Sequence, residues 1–227
     1  MVPRQRSDAG QAFPIYIVMV AGLLFLAFAF FAVGQASAKR NGAQGAADAA
    51  ALAAAQEARD ELSVPFLAAL RTPNGLDDFL RFHQYGWDGC DKAAKLAYDN
   101  GAHLDGDPLV PSGCYWRSGY LQDRVTARVK TREPVGKSVI PATETKYATA
   151  TATAVIEFRC TFKPAPESPD PDPGQGDGNG DGEGDSEETP GPFEFRCDGQ
   201  PIKIDLGDPD PLAGLTQLLF AVHLIDD

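Results

Sequence analysis

Signatures of catalysis are missing from this chain of 227 residues. It has no G-x-S-x-G and no H-E-x-x-H, and His83, His103 and His223 are scattered without metal-ligand spacing or a nearby nucleophile motif. None of its four cysteines forms a C-x-x-C pair, which withholds support from zinc and thioredoxin-like readings. Gly136-Lys137-Ser138 matches the end of a phosphate-binding loop, but Thr131 stands where the loop's first glycine belongs. Asp77-Asp78, Asp105/Asp107 and Asp208/Asp210 each sit beside Gly, Pro or Asn, so helix starts and turns account for them better than acid–base pairing. Trp87, Tyr115 and Trp116 read as core aromatics near cysteines rather than a ligand face. The expectation is a protein that is not an enzyme.

Positive charge is also scarce. Lys and Arg number 20 against 32 Asp and Glu, a formal net charge of -12. Residues 164–192 hold nine acidic side chains and no Lys or Arg, leaving the remainder near neutral. No basic patch is in prospect, so no nucleic-acid partner is expected. The acidic segment, built mainly of Asp, Gly, Glu and Pro, reads as a self-repelling disordered loop. Within it Asp177, Asn179, Asp181 and Glu188 occupy positions 1, 3, 5 and 12 of an EF-hand pattern, with Gly182 at position 6 and Glu183 next to it. Gly184 stands where such loops carry an apolar residue, and prolines flank the segment where helices are needed. Disorder is the preferred reading; weak calcium binding stays open, and no other cofactor is implied.

Charge of either sign is absent between Asp8 and Lys39. A helix over residues 14–34 would be about 31 Å long, enough to cross a bilayer core. Three fates are open: an uncleaved anchor, a signal peptide cut after Ala36-Ser37-Ala38, or a pilin-type leader plus stalk. The run exceeds the about 7–15 residues of a signal-peptide core, which favours retention. Arg4 and Arg6 are balanced by Lys39 and Arg40, so the positive-inside rule leaves orientation undecided. The cysteines decide it, since Cys90, Cys114, Cys160 and Cys197 all follow the run and an even count suits two disulfides in an oxidising space.

From residue 43 to residue 58, ten of sixteen positions are alanine, the best helix former. Small residues recur four apart at Gly42, Ala46, Ala50 and Ala54, a stripe that suits close packing against other stalk helices; a solvated connector is the alternative. Gly34, Gly42 and Gly45 would allow a flexible joint at the membrane surface.

Asp8-Ala9-Gly10-Gln11-Ala12, the apolar run, and then Gln44-x-Ala46-Ala47-Asp48-Ala49-Ala50-Ala51-Leu52-Ala53 resemble the N-terminus of TadE/TadG-like Flp pilus-assembly proteins. The resemblance covers about residues 8–58. It implies a short cytoplasmic tail, one membrane helix and a stalk leading to an extracytoplasmic domain, with membrane lipid and other Tad/Flp pilus-assembly or pilin-like proteins as partners. Members cut by prepilin peptidase carry Glu five residues after the cleavage glycine. If Gly10 is that candidate cleavage site, Ile15 stands in place of the Glu, which puts the chain nearer the TadG-like side, where the anchor is retained.

Beyond the stalk, apolar periodicity predicts helices over residues 74–84 and 88–100. Alternation predicts strands over residues 125–130, 145–162, 201–206 and 218–225, and residues 212–217 suggest a helical turn. Glu157-Phe158-Arg159-Cys160 and Glu194-Phe195-Arg196-Cys197 repeat one tetrapeptide around the acidic segment. Paired antiparallel, Cys160 would face Cys197 and Phe162 would face Phe195, clamping the base of a long hairpin. Of three connectivities the favoured one is therefore Cys90–Cys114 with Cys160–Cys197; four free thiols are the alternative.

The expected fold class is α+β, with one predominantly antiparallel sheet and short helices outside the membrane. The expected layout is a tail (residues 1–13), a membrane helix (14–34), a stalk (35–62), a domain (63–163), the acidic loop (164–192) and closing strands (193–227). Functionally this reads as a structural or accessory part of a Tad/Flp-like pilus or secretion assembly at the cell membrane. The alternative is an anchored or secreted adhesion module with a weak cation-binding loop.

Overall fold

The computed structural model describes residues 12–82, 90–136, 142, 144–162, 193–208 and 215–225. Its backbone is helix α1 (Ala12–Glu61), about 75 Å long, with no break at Gly34, Gly42 or Gly45. The expected joint is therefore absent, and alanine's propensity on either side explains why. Each glycine costs about 1 kcal/mol relative to alanine, too little to interrupt so long a run of helix formers. Pro65 supplies the real boundary. It has no N–H to return to Glu61, and the chain turns at Leu62 into α2 (Ser63–Leu70).

The two ends of α1 live in different surroundings. From Phe13 to Phe31 the large apolar side chains are 52–75% exposed. From Ala43 onward Ala46, Ala47, Ala50, Ala51, Ala54 and Ala55 are fully buried. These alanines face a five-stranded antiparallel sheet and helix α4 (Cys90–Asp99). The sheet is ordered β1 (Ala102–Leu104), β3 (Gln122–Thr131), β4 (Thr149–Phe158), β8 (Phe220–Ile225), with β2 (Cys114–Arg117) beside β1 on the same edge of β3. Val125, Ala127 and Val129 of β3 and Ala152, Ala154 and Ile156 of β4 occupy one face by period-two alternation, with Ala127 opposite Ala152. Alanine meets alanine and valine there, so helix and sheet backbones approach closely. The other face carries a buried Thr126–Thr153 hydroxyl bond at 2.9 Å.

This corrects the reading of residues 35–62 as a free stalk. Ala46, Ala50 and Ala54 are core residues of the outer domain, already covered by this chain, and only Gly42 of that stripe is exposed. The remaining open stripe of α1 runs through Gly45.

The single expected sheet is two. The predicted strand over residues 145–162 breaks at Arg159, whose N–H donates to Leu219 O (3.0 Å) and whose guanidinium donates to Gln217 O (3.1 Å) in α5 (Thr216–Leu219) and pairs with Asp198 (3.1 Å). Bound this way, the chain leaves the first sheet and enters a second, ordered β5 (Cys160–Phe162), β6 (Phe193–Cys197), β7 (Gln200–Ile204). The predicted register is present: Cys160 faces Cys197 and Phe162 faces Phe195. Asp198 and Gly199, both at positive φ, close the two-residue β6–β7 turn. Pro201 is tolerated because β7 is an edge strand. Helices α3 (Gly75–Phe82) and α4 lie within the segments predicted for them, while α2, with Pro65 in its first turn, was not predicted.

Phe66 of α2 ties the halves together. Its ring is fully buried and lies 5.6 Å from Phe79, 6.1 Å from Phe158, 5.9 Å from Phe195 and 5.6 Å from Phe220, so one side chain touches α3 and strands of both sheets. Two disulfides add to it. Cys90–Cys114 joins α4 to β2, and Cys160–Cys197 joins β5 to β6. Spanning 24 and 37 residues, they contribute about 3.5 and 4 kcal/mol in the chain-entropy account.

Two predictions follow from the packing. Ala50→Leu should lower the unfolding free energy by about 1–3 kcal/mol through overpacking. Gly45→Ala, where a methyl group meets nothing within 4 Å, should raise it by about 0.5–1 kcal/mol. Denaturant titration of the detergent-solubilised protein reads both, and a neutral Ala50→Leu would contradict the close helix–sheet contact. Replacing Cys160 and Cys197 by serine should cost about 2–4 kcal/mol, because three short strands hold little core of their own. The same titration with the double variant would show an unchanged midpoint if the clamp were idle.

Candidate assembly surfaces

A site here means a surface, because the polar side chains are employed locally. Asp77 pairs with Arg81 one turn on (2.7 Å) at the start of α3. Asp107 accepts the amides of Leu109 and Val110 at 2.8 Å each, and these two, Val110 foremost, hold its carboxyl below the usual range. Arg128 bridges Asp107 (3.3 Å) and Asp105 (3.5 Å), fastening the β1–β2 loop to β3. Asp208 donates its amide to Asp205 O in a turn. Trp116 donates its indole N–H to Ser118 (3.1 Å), and Tyr115 is exposed on β2. His103 sits opposite Lys130 and His223 opposite Val155, with two strands between the two histidines. Among the described residues no three His, Cys, Asp or Glu side chains gather to hold a metal ion.

Several residues singled out in the sequence lie outside the described residues: Gly10, His83, Trp87, Lys137, Ser138, Asp210, and Asp177, Asn179, Asp181, Glu183 and Glu188 of the acidic segment. Of the rest, the structure brings Cys90 to Cys114 and Cys160 to Cys197, and it gathers Ala46, Ala50 and Ala54 into the core.

What remains open for a partner is the N-terminal part of α1. It is long and apolar enough to cross a membrane, and 6% of its most apolar window is buried in the chain. Water cannot be its surroundings: an exposed apolar surface of this extent has to be covered by lipid or by other apolar helices. Past it, α1 turns from apolar surface to domain core within three turns, with Lys39 on the boundary and paired to Glu133 (3.4 Å). Ala36-Ser37-Ala38 lies inside this unbroken helix.

Sequence reading missed that the alanine run faces inward. The signal was there, since buried positions 43, 46, 47, 50, 51, 54, 55 and 58 follow helical periodicity. Their uniformity hid it, because alanine occupies the open face of the run as well.

A family model described as "Putative Flp pilus-assembly TadE/G-like" matches residues 10–57, which take in nearly all of α1, apolar part and alanine part together. No curated protein and no solved structure matches the chain. Residues 10–57, nearly all of the long helix, are thus similar to the TadE/TadG-like Flp pilus-assembly family.

Proposed function

We propose that the chain is a membrane-anchored structural or accessory component of a Tad/Flp-like pilus or secretion assembly and not an enzyme. The observation that carries this is α1 itself: one unbroken helix, matched by the family model, whose first part is apolar and bare and whose second part is the core of a domain. In this reading the apolar part spans the cell membrane with the N-terminus in the cytoplasm. The two disulfides support an oxidising, extracytoplasmic location for the domain.

Continuity of α1 gives such a component its mechanical character. A force or rotation applied to the outer domain passes into the bilayer through a helix without a hinge. Association with other assembly proteins then rests on the apolar helix and on the outer surface of the domain, not on Ala46, Ala50 and Ala54.

Intact mass of C-terminally tagged protein from native membranes tests the reading. A mass that includes residues 14–34, in a protein that stays with the membrane under alkaline carbonate and co-purifies with other Tad components, is the expected result. A mass beginning at Lys39 would mean an export signal and would overturn it. Leu24→Lys with Phe25→Lys should cost about 2.5–3.5 kcal/mol of insertion per charge and shift the protein out of the membrane fraction. Unchanged partitioning of that variant would count against a membrane span.

A further inference from the structure

From the distribution of charge along α1 we infer that the inner rim of the domain rests on anionic phospholipid headgroups. This surface belongs to the membrane-spanning reading above and rests on it. The rim is level with residues 38–42: Ala38, Lys39 and Gly42 line one hollow of about 260 Å³ together with Asn100, Gly101, Thr131, Arg132 and Glu133. Lys39 follows the last residue of the apolar run, Gly34, by about 8 Å of helix rise. The headgroup layer on each side of a bilayer is about 5–8 Å thick. The end of α4, the end of β3 and the start of β4 therefore stand at the outer edge of that layer.

Their chemistry suits it. Two carboxylates near the rim are already neutralised, Glu133 by Lys39 and Asp99 by Lys95 (2.6 Å). Arg40, Lys130, Arg132 and Lys146 have no carboxylate partner among the described residues. Two of them lie instead on exposed tyrosines. The Arg132 guanidinium is 4.1 Å from the Tyr98 ring centroid, and the Lys130 ammonium is 5.1 Å from that of Tyr147. Exposed tyrosines beside unpaired cations form the combination found where protein meets headgroups, the ring in the interface and the charge on phosphate.

The opposite end of the domain carries both signs, with Asp60 paired to Arg59 (2.9 Å). Glu57, Asp60 and Glu61 cluster there on α1, with Lys92 across the same hollow. Arg40, Lys130, Arg132 and Lys146 are thus set next to the headgroup layer. A negatively charged membrane would hold such a molecule upright, whereas a neutral one would leave it free to tilt about the helix.

Full-length protein in nanodiscs tests this by hydrogen–deuterium exchange. Discs containing phosphatidylglycerol should slow exchange at residues 98–101 and 130–133 relative to pure phosphatidylcholine discs. High salt should abolish the difference, and the amides facing Phe66 should be indifferent to lipid. Lys130→Glu with Arg132→Glu should weaken the effect by about fivefold per charge. The wild-type comparison stands even if that variant folds poorly. Equal exchange in the two lipids, from protein that remains inserted, would overturn the inference while leaving the membrane span intact. Protection by inorganic phosphate in phosphatidylcholine discs, equal to that by phosphatidylglycerol, would also overturn it in favour of a simple anion site. Protein that fails to insert would overturn both readings.

Discussion

Everything outside the membrane-length segment is built on the contact between the alanine face of α1 and the sheet. A helix can lie this close to β3 and β4 only if both surfaces are nearly flat, and Ala46, Ala50 and Ala54 against Ala127, Ala152 and Ala154 provide that. Alanine contributes little hydrophobic burial per residue, so the seam by itself is a weak adhesive. Its value is geometric: it sets the distance at which larger groups at the far end can meet. Leu62 and Phe66 take over where the alanines stop, and the phenylalanine cluster supplies the apolar area that the seam lacks.

That division of labour explains why the disulfides sit where they do. Cys90–Cys114 holds α4 against the sheet along a helix whose buried residues are again alanines, Ala93 and Ala97. Cys160–Cys197 closes the small second sheet, which has three strands and one edge interrupted by Pro201. The first bond reinforces a contact made by small side chains, and the second ties β5 to the strand that carries the buried Phe195. Phe66 needs no such help.

Much of this was legible in the sequence because the signals were local. Alternation marked β3 and β4, and the repeated Glu-Phe-Arg-Cys tetrapeptide fixed the register of β5 and β6 through like residues facing one another. Asp198-Gly199 between two apolar alternations was an equally good hairpin signal and went unread. What local pattern could not supply was the destination of each surface. The alanine run fits a bundle of stalks as well as it fits a core, since either environment asks only for small side chains. The break at Arg159 was hidden for a similar reason: its partners, the carbonyls of Gln217 and Leu219, come from far along the chain, and no spacing within β4 announces them.

A core helix that runs on without a break into the membrane-length apolar segment has a consequence for the proposed assembly role. Were the alanine part a free stalk, partners could pack on it and the domain could swivel. Because it is instead the domain's centre, the orientation of the described outer surfaces is coupled to the orientation of residues 12–34. A neighbour that binds the apolar helix thereby fixes how the sheet is presented, and a neighbour that binds the sheet fixes the helix. The two parts meet at Lys39 and Glu133, one ion pair at the rim. With side chains 35% and 83% exposed, that pair contributes little stability, so it does not hold the angle. The angle is held by the absence of any non-helical residue between Ala12 and Glu61, a property of the backbone that no single surface contact can replace.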